Sequence, residues 1–199
     1  MDNNAEEEIK VILVGESGTG KTSLINATMG LPFKESLEST TANYFSSKKI
    51  TVGSKQYILN LWDTIGQEKF RSLTKIFIKD SKIVLLVYDI TRLNSFKELD
   101  FWYKMIRDIL GDDIIVGVCG NKQDLFASEQ VKEEEVRKYA EERNISFKLT
   151  SAKNPLSFNK FLDELVKQYT EKFGGEKNKE DKEKINLSGD KKNDKKKCC

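Results

Sequence analysis

Along its 199 residues the chain alternates short apolar runs with segments whose apolar residues recur every three or four positions. Residues 9–14 are apolar and rich in β-branched side chains, and they end at Gly15, the pattern of a strand buried on both faces. Residues 22–29 then read as a helix, and the polar stretch 32–41 as a loop. Segments 44–52 and 56–62 alternate well enough for two strands, with Gly53-Ser54 as a hairpin turn between them. A second polar loop is expected over 63–73. Further strands are expected at 83–88, 114–119 and 147–149. Ser95 is placed to cap a helix carrying Phe96, Leu99, Tyr103, Ile106 and Leu110, and Val131, Val136 and Tyr139 mark another. After Pro155, the residues Phe158, Phe161, Leu162, Leu165, Val166 and Tyr169 form the apolar face of a last helix.

Strands alternating with helices predict an α/β fold around a mainly parallel sheet, with ligands bound beyond the C-terminal strand ends. From Gly174 the character changes to Lys, Glu, Asp, Asn and Ser, with only Ile185 and Leu187 as apolar residues. Such a segment buries too little surface to offset its ordering entropy. The expected organisation is therefore an N-terminal extension 1–7, one domain over 8–173, and a flexible tail over 174–199, with Gly174-Gly175 ending the last helix.

Composition narrows the chemistry. Lys+Arg number 34 and Asp+Glu 32, so a net charge of +2 gives no case for nucleic acid held by bulk electrostatics. There is no histidine, which removes Ser-His-Asp and Cys-His catalysis and histidine-ligated metals. Of three cysteines, Cys119 lies in an apolar run and reads as a small buried hydrophobe, while Cys198 and Cys199 stand together at the end. No disulfide framework is apparent, as suits a reducing cytosol. The acidic start with Asp2 fits neither a secretory signal nor N-myristoylation. No apolar run approaches the roughly 20 residues of a membrane-spanning helix.

Gly15-Glu16-Ser17-Gly18-Thr19-Gly20-Lys21-Thr22 matches the P-loop pattern in full, between an apolar strand and a helix. Its glycines let the backbone curl so that successive N–H groups face a phosphate, and the helix N-terminus adds its dipole. Lys21 is placed to reach the β- and γ-phosphates, and the Thr22 hydroxyl to ligate Mg²⁺. The loop alone does not separate GTP from ATP. Asn121-Lys122-Gln123-Asp124 follows the strand ending at Cys119, and a carboxylate there accepts from the guanine N1–H and exocyclic amine. Adenine lacks that donor pair. Lys122 can lay its stem along the purine, and a backbone N–H of Thr150-Ser151-Ala152-Lys153 can reach the guanine O6.

These motifs, with Trp62-Asp63-Thr64-Ile65-Gly66-Gln67-Glu68 between them, resemble in order those of small GTPases of the Ras superfamily, over residues 8–173. The run from Gln67 to Leu73 and the paired terminal cysteines are similar to the Rab family in particular. The resemblance implies a P-loop three-layer sandwich: a six-stranded, mainly parallel sheet with one antiparallel edge strand and helices on both faces. It implies GTP or GDP held by Ser17, Gly18, Thr19, Gly20, Lys21, Thr22, Ser23, Phe33, Thr40, Gly66, Asn121, Lys122, Asp124, Ser151, Ala152 and Lys153. Thr22, Thr40 and Asp63 would hold Mg²⁺, and Gln67 would orient the attacking water. Catalysis of this kind is positioning and electrostatics, and with no arginine placed as a finger in the loops 32–41 and 63–73, which the resemblance makes the two switch loops, it is slow without an activating protein.

Phe45, Trp62 and Phe77 match an aromatic triad that Rab proteins show to effectors; core packing is the other reading of each. The implied partners are effectors, an exchange factor, a GTPase-activating protein and an escort or GDI-type chaperone, with the chain itself a monomer. Residues 191–197 hold five lysines and one aspartate before Cys198-Cys199, resembling a terminus that receives two geranylgeranyl groups. Two chains anchor stably where one does not, and lysines add attraction to an anionic leaflet. The cytoplasmic face of intracellular membranes, with cycling to the cytosol, is the implied location. Two departures stand out. Ile65 replaces the usual alanine, and Thr41-Ala42 the usual Ile-Gly. A hydrolysis-impaired scaffold of the same fold, or a P-loop ATPase, are the alternatives.

Overall fold

The computed structural model describes residues 7–35, 44–64 and 71–189, with side chains undescribed at 44, 71–74 and 175–189. Its elements run β1 (Glu7–Val14), α1 (Lys21–Thr28), β2 (Tyr44–Val52), β3 (Lys55–Asp63), α2 (Arg71–Ile78), β4 (Ile83–Asp89), α3 (Leu93–Lys97), α4 (Leu99–Leu110), β5 (Ile115–Asn121), a 3₁₀ helix (Gln123–Ser128), α5 (Glu133–Glu142), β6 (Ser146–Leu149) and α6 (Leu156–Gly189).

The six strands lie in the order β2-β3-β1-β4-β5-β6. All neighbours pair in parallel except β2 and β3, which run antiparallel from Tyr44↔Asp63 to Val52↔Lys55. Gly53-Ser54 closes that hairpin, and Gly53 takes φ +63°, where a side chain would be strained. The architecture is the one expected, with β2 as the antiparallel edge.

Alternation along each strand builds two cores. Ile9, Val11 and Leu13 of β1 and Leu85 and Val87 of β4 pack with Leu24 of α1 and with Phe158, Phe161 and Leu165 of α6. Ile12, Val14, Val84, Leu86 and Tyr88 face the other way, against Ile78, Leu99, Trp102, Ile106 and Val136. All seven residues of β4 are buried, which is why this segment reads as continuously apolar rather than alternating. Each fully buried aliphatic side chain stabilises the fold by about 1.5–3 kcal/mol. After β1 the chain crosses to β3 on one side and then returns to β4 on the other. A crevice therefore opens at the C-terminal end of β1.

Several expectations are corrected. The last helix does not stop at Gly174-Gly175 but continues to Gly189, through a Lys- and Glu-rich stretch of good helix formers. The polar loop expected over 63–73 gives way at Arg71 to α2, whose Ile76, Phe77 and Ile78 are too few to have announced a helix on their own. Ser95 is not an N-cap. It lies inside α3, where its hydroxyl accepts from Asp89 N at 3.0 Å and donates to Arg92 O at 2.7 Å, and the expected single helix is divided into α3 and α4. Val131 precedes α5 rather than belonging to it. Among the described residues, no helix is long and apolar enough to cross a membrane.

Cys119 is fully buried in β5, with Sγ 2.9 Å from Thr150 Oγ1. Burial pushes its thiol up to about 12, against a smaller downward pull from Thr150. In a chain carrying Cys198→Ser and Cys199→Ser, native protein is therefore expected to consume no thiol reagent over hours, and denatured protein one equivalent. Rapid native labelling, followed by absorbance, would contradict the packing of β5 against β6.

Candidate functional site

The segment from Gly15 to Lys21 turns out of β1 into α1 by a backbone that its glycines permit. Gly15 sits at φ +149°, and a Cβ on it would lie 2.1 Å from Val87 O. Gly20 sits at φ +92°, and a Cβ there would lie 2.3 Å from Asn121 Nδ2. The first glycine lets the loop press on β4 and the second lets it press on the end of β5. Asn121 Nδ2 donates to Thr19 O at 2.9 Å, so the fifth strand holds the loop directly.

Lys21 is almost wholly buried, and its Nζ donates to Gly15 O and Glu16 O at 2.9 Å each. Desolvation lowers its pKa from 10.5 to about 8, with Asp63 opposing, Arg92 adding to the decrease and Glu16 opposing. Among the described residues, Asp63 and Glu16 repay only part of the desolvation of that ammonium. Thr22 Oγ1 donates to Asp63 Oδ2 at 2.6 Å, across 41 residues of sequence. A hydroxyl and a carboxylate converging beside a phosphate-type loop are hard oxygen donors of the kind that Mg²⁺ takes, with phosphate and water completing the shell. The donor set fits that ion.

At the far end of the same cleft, Asp124 Oδ1 accepts from Ser151 Oγ at 2.6 Å, and Oδ2 lies 3.2 Å from Lys153 Nζ. Burial works to raise the Asp124 pKa, but the hydrogen bonds from Ser151 and Lys153 outweigh it and leave the carboxyl below its usual value. Asp124 is thus ionised at neutral pH. Lys153 Nζ also stands 5.4 Å over the ring of Phe33, so the two flank one opening. The cleft measures about 360 Å³, and Ser17, Gly18, Gly20, Lys21, Thr22, Ser23, Phe33, Asn121, Lys122, Asp124, Ala152 and Lys153 line it. Thr19 and Ser151 support it from behind. Thr64, from the motif over 62–68, also lines it, as do Lys34, Glu35 and Leu125, which no motif singled out.

A model of the Ras family matches residues 10–171. The chain belongs to the Ras family. It is 35% identical over 168 residues to Ras-related protein Rab-2B of Dictyostelium discoideum, which covers 84% of this chain and 83% of that one. It is a Rab-like small GTPase, an enzyme that hydrolyses GTP.

Thr40, Gly66, Gln67, Ile65, Thr41, Ala42, Cys198 and Cys199 lie outside the described residues of this GTPase. Phe45, Trp62 and Phe77 come together: Phe45 stacks on Trp62 at 5.2 Å and Trp62 meets Phe77 at 6.0 Å. Phe45 is 57% exposed while the other two are half-buried, so Phe45 is no core residue. Lys10 Nζ caps the cluster, 4.7 Å from the Trp62 ring. Lys122 makes a contact that its motif does not announce. Its Nζ is engaged by Asp89 Oδ2 at 2.6 Å, from a left-handed backbone at φ +67°. Sequence reasoning passed over Asp89, although an acidic residue ending an otherwise apolar strand was a visible signal.

Proposed function

We propose that this small GTPase is a Mg²⁺-dependent GTP/GDP switch that acts at the cytoplasmic face of intracellular membranes in vesicle traffic. One observation carries the reading. A single cleft has the Lys21 ammonium and the Thr22–Asp63 oxygen pair at one end, and an ionised Asp124 at the other. A triphosphate suits the first end and a base with two adjacent donors suits the second.

In this reading the P-loop N–H groups and Lys21 bind the phosphates, and Asp124 accepts the guanine N1–H and amine. Thr22, Asp63 and Thr40 hold Mg²⁺, which supplies charge neutralisation at the phosphate oxygens. Phe33 stacks edge-on against the base, the Gly66 N–H contacts the γ-phosphate and Gln67 orients the water. Contacts that exist only with the third phosphate order the two loops, and its loss releases them. Phe45, Trp62 and Phe77 are then the face read by effectors. An exchange factor, an activating protein and an escort or GDI-type chaperone complete the cycle. The lysines of 191–197, with geranylgeranyl groups on Cys198 and Cys199, give the membrane hold.

Phosphate release from protein preloaded with GTP, under single-turnover conditions, tests the switch. Slow release that needs magnesium is expected, rising about 10³–10⁵-fold with a matching activating protein. Ile65 brings bulk to the loop that meets the γ-phosphate, so Ile65→Ala is expected to hydrolyse GTP roughly fivefold faster or more. Equal rates in the two chains would remove Ile65 as a brake, and no release from either would favour a hydrolysis-impaired scaffold.

A further inference from the structure

Asp89 closes β4 and belongs to none of the nucleotide motifs. Its carboxylate is 1% exposed, and both oxygens are engaged. Oδ1 accepts from the Thr91 N–H at 2.9 Å and from the Thr91 hydroxyl at 2.7 Å. Oδ2 meets Lys122 Nζ at 2.6 Å and Arg92 Nε at 3.2 Å. Burial works to raise its pKa, yet the hydrogen bonds from Lys122 and Thr91 hold it below the usual carboxylate value, so it is anionic at neutral pH. One buried charge therefore grips two cations that lead in different directions.

Lys122 belongs to the base-recognition loop. Arg92 leads to the phosphate loop, where its Nη2 donates to Ser17 O at 2.8 Å and stands 3.9 Å from the Glu16 carboxylate. Ser17 and Gly18 line the cleft but Arg92 does not, so the guanidinium pulls the Ser17 carbonyl from the outer side. In a trans peptide the C=O and the following N–H point in opposite directions. Fixing the Ser17 carbonyl outward thereby fixes the Gly18 N–H inward, toward the phosphate. Arginine suits the task because its rigid fork holds Nε toward the carboxylate and Nη2 toward the carbonyl at a fixed separation, whereas an ammonium presents its donors from a single point on a flexible stem. Ser95, bonded to Asp89 N and Arg92 O, holds the backbone between the two.

We infer that Asp89 and Arg92 form a brace that joins the base-recognition loop to the phosphate loop and sets how long the nucleotide stays bound. They are positioning residues, and the inference rests on reading the cleft as the guanine-nucleotide site. The test follows release of a fluorescent GDP analogue from the full chain in magnesium, chased with unlabelled GDP. Arg92→Ala and Asp89→Asn are each expected to release about tenfold faster than wild type. Arg92→Lys, which keeps the charge but not the fork, is expected to release nearly as fast as Arg92→Ala. Because both residues serve one linkage, the double variant should release within about twofold of the faster single variant. Preference for GDP over ADP should survive in Arg92→Ala, since Asp124 is untouched; a general collapse of the fold would remove it. Release from Arg92→Ala and Arg92→Lys within about twofold of wild type would overturn the brace, as would effects that multiply in the double variant. Wild type that retains no guanine nucleotide would instead sink the GTPase reading of the cleft, and the brace with it.

Discussion

Asp124→Asn is expected to weaken GDP retention by about a hundredfold or more and to turn the chain toward xanthine nucleotides. The carboxylate is held as an acceptor-only group by Ser151 Oγ at 2.6 Å and Lys153 Nζ at 3.2 Å, with its pKa below the ordinary value. Guanine offers it two adjacent donors, and each charge-assisted bond is worth about 1.5–3 kcal/mol. An asparagine amide keeps one acceptor for the guanine N1–H but turns a donor toward the guanine amine, so one bond survives and the other is replaced by a clash of donors. Xanthine carries a carbonyl in place of that amine and complements the amide. Displacement of a fluorescent GDP analogue by GDP, XDP and ADP reads the change. The expected order is GDP first for wild type and XDP first for the variant. An unchanged order would mean that Asp124 does not read the base.

The two ends of the cleft were legible to very different depths. The phosphate end was written locally: a glycine pattern after an apolar strand fixes the curl whatever the rest of the chain does, and Gly15 and Gly20 turn out to stand where a Cβ would collide. The hairpin was legible for the same reason, through Gly53-Ser54 between two alternating segments. What linked distant segments was not. Nothing in the sequence says that Arg92 reaches back 75 residues to Ser17, or that Asp89 takes hold of Lys122. Such contacts are set by strand order, and a buried ion pair leaves no periodic trace. The break between α3 and α4 escaped because its apolar positions still fall at helical spacing. Gly174-Gly175 misled in the opposite sense, since a glycine pair is a weak stop within a run of strong helix formers. The aromatic triad lay between these cases. Its members were identified by resemblance, and the stacking of Phe45 on Trp62 depends on their register as opposed residues of β2 and β3.

Lys21→Met is expected to abolish GTP and GDP retention while making the nucleotide-free protein more stable. The two effects share a cause. The Lys21 ammonium is almost completely buried and donates to Gly15 O and Glu16 O, and desolvation, opposed in part by Asp63, brings its pKa from 10.5 to about 8. Charged at neutral pH, it burdens the empty fold by an amount on the order of 3 kcal/mol. Part of that is returned by its two hydrogen bonds, so the gain on replacement should be nearer about 1–2 kcal/mol. A phosphate placed beside the same ammonium converts the burden into a charge pair in a dry site, where it is worth far more than at the surface. Retention should therefore fall by roughly a thousandfold or more. Denaturant midpoints of nucleotide-free protein and release of a fluorescent GDP analogue measure the two quantities separately. A residue placed only for packing would lose both together. Opposite movements would show that this fold gives up stability so that a positive charge is waiting where the phosphates arrive, whereas loss of stability in the empty variant would make Lys21 a structural residue first.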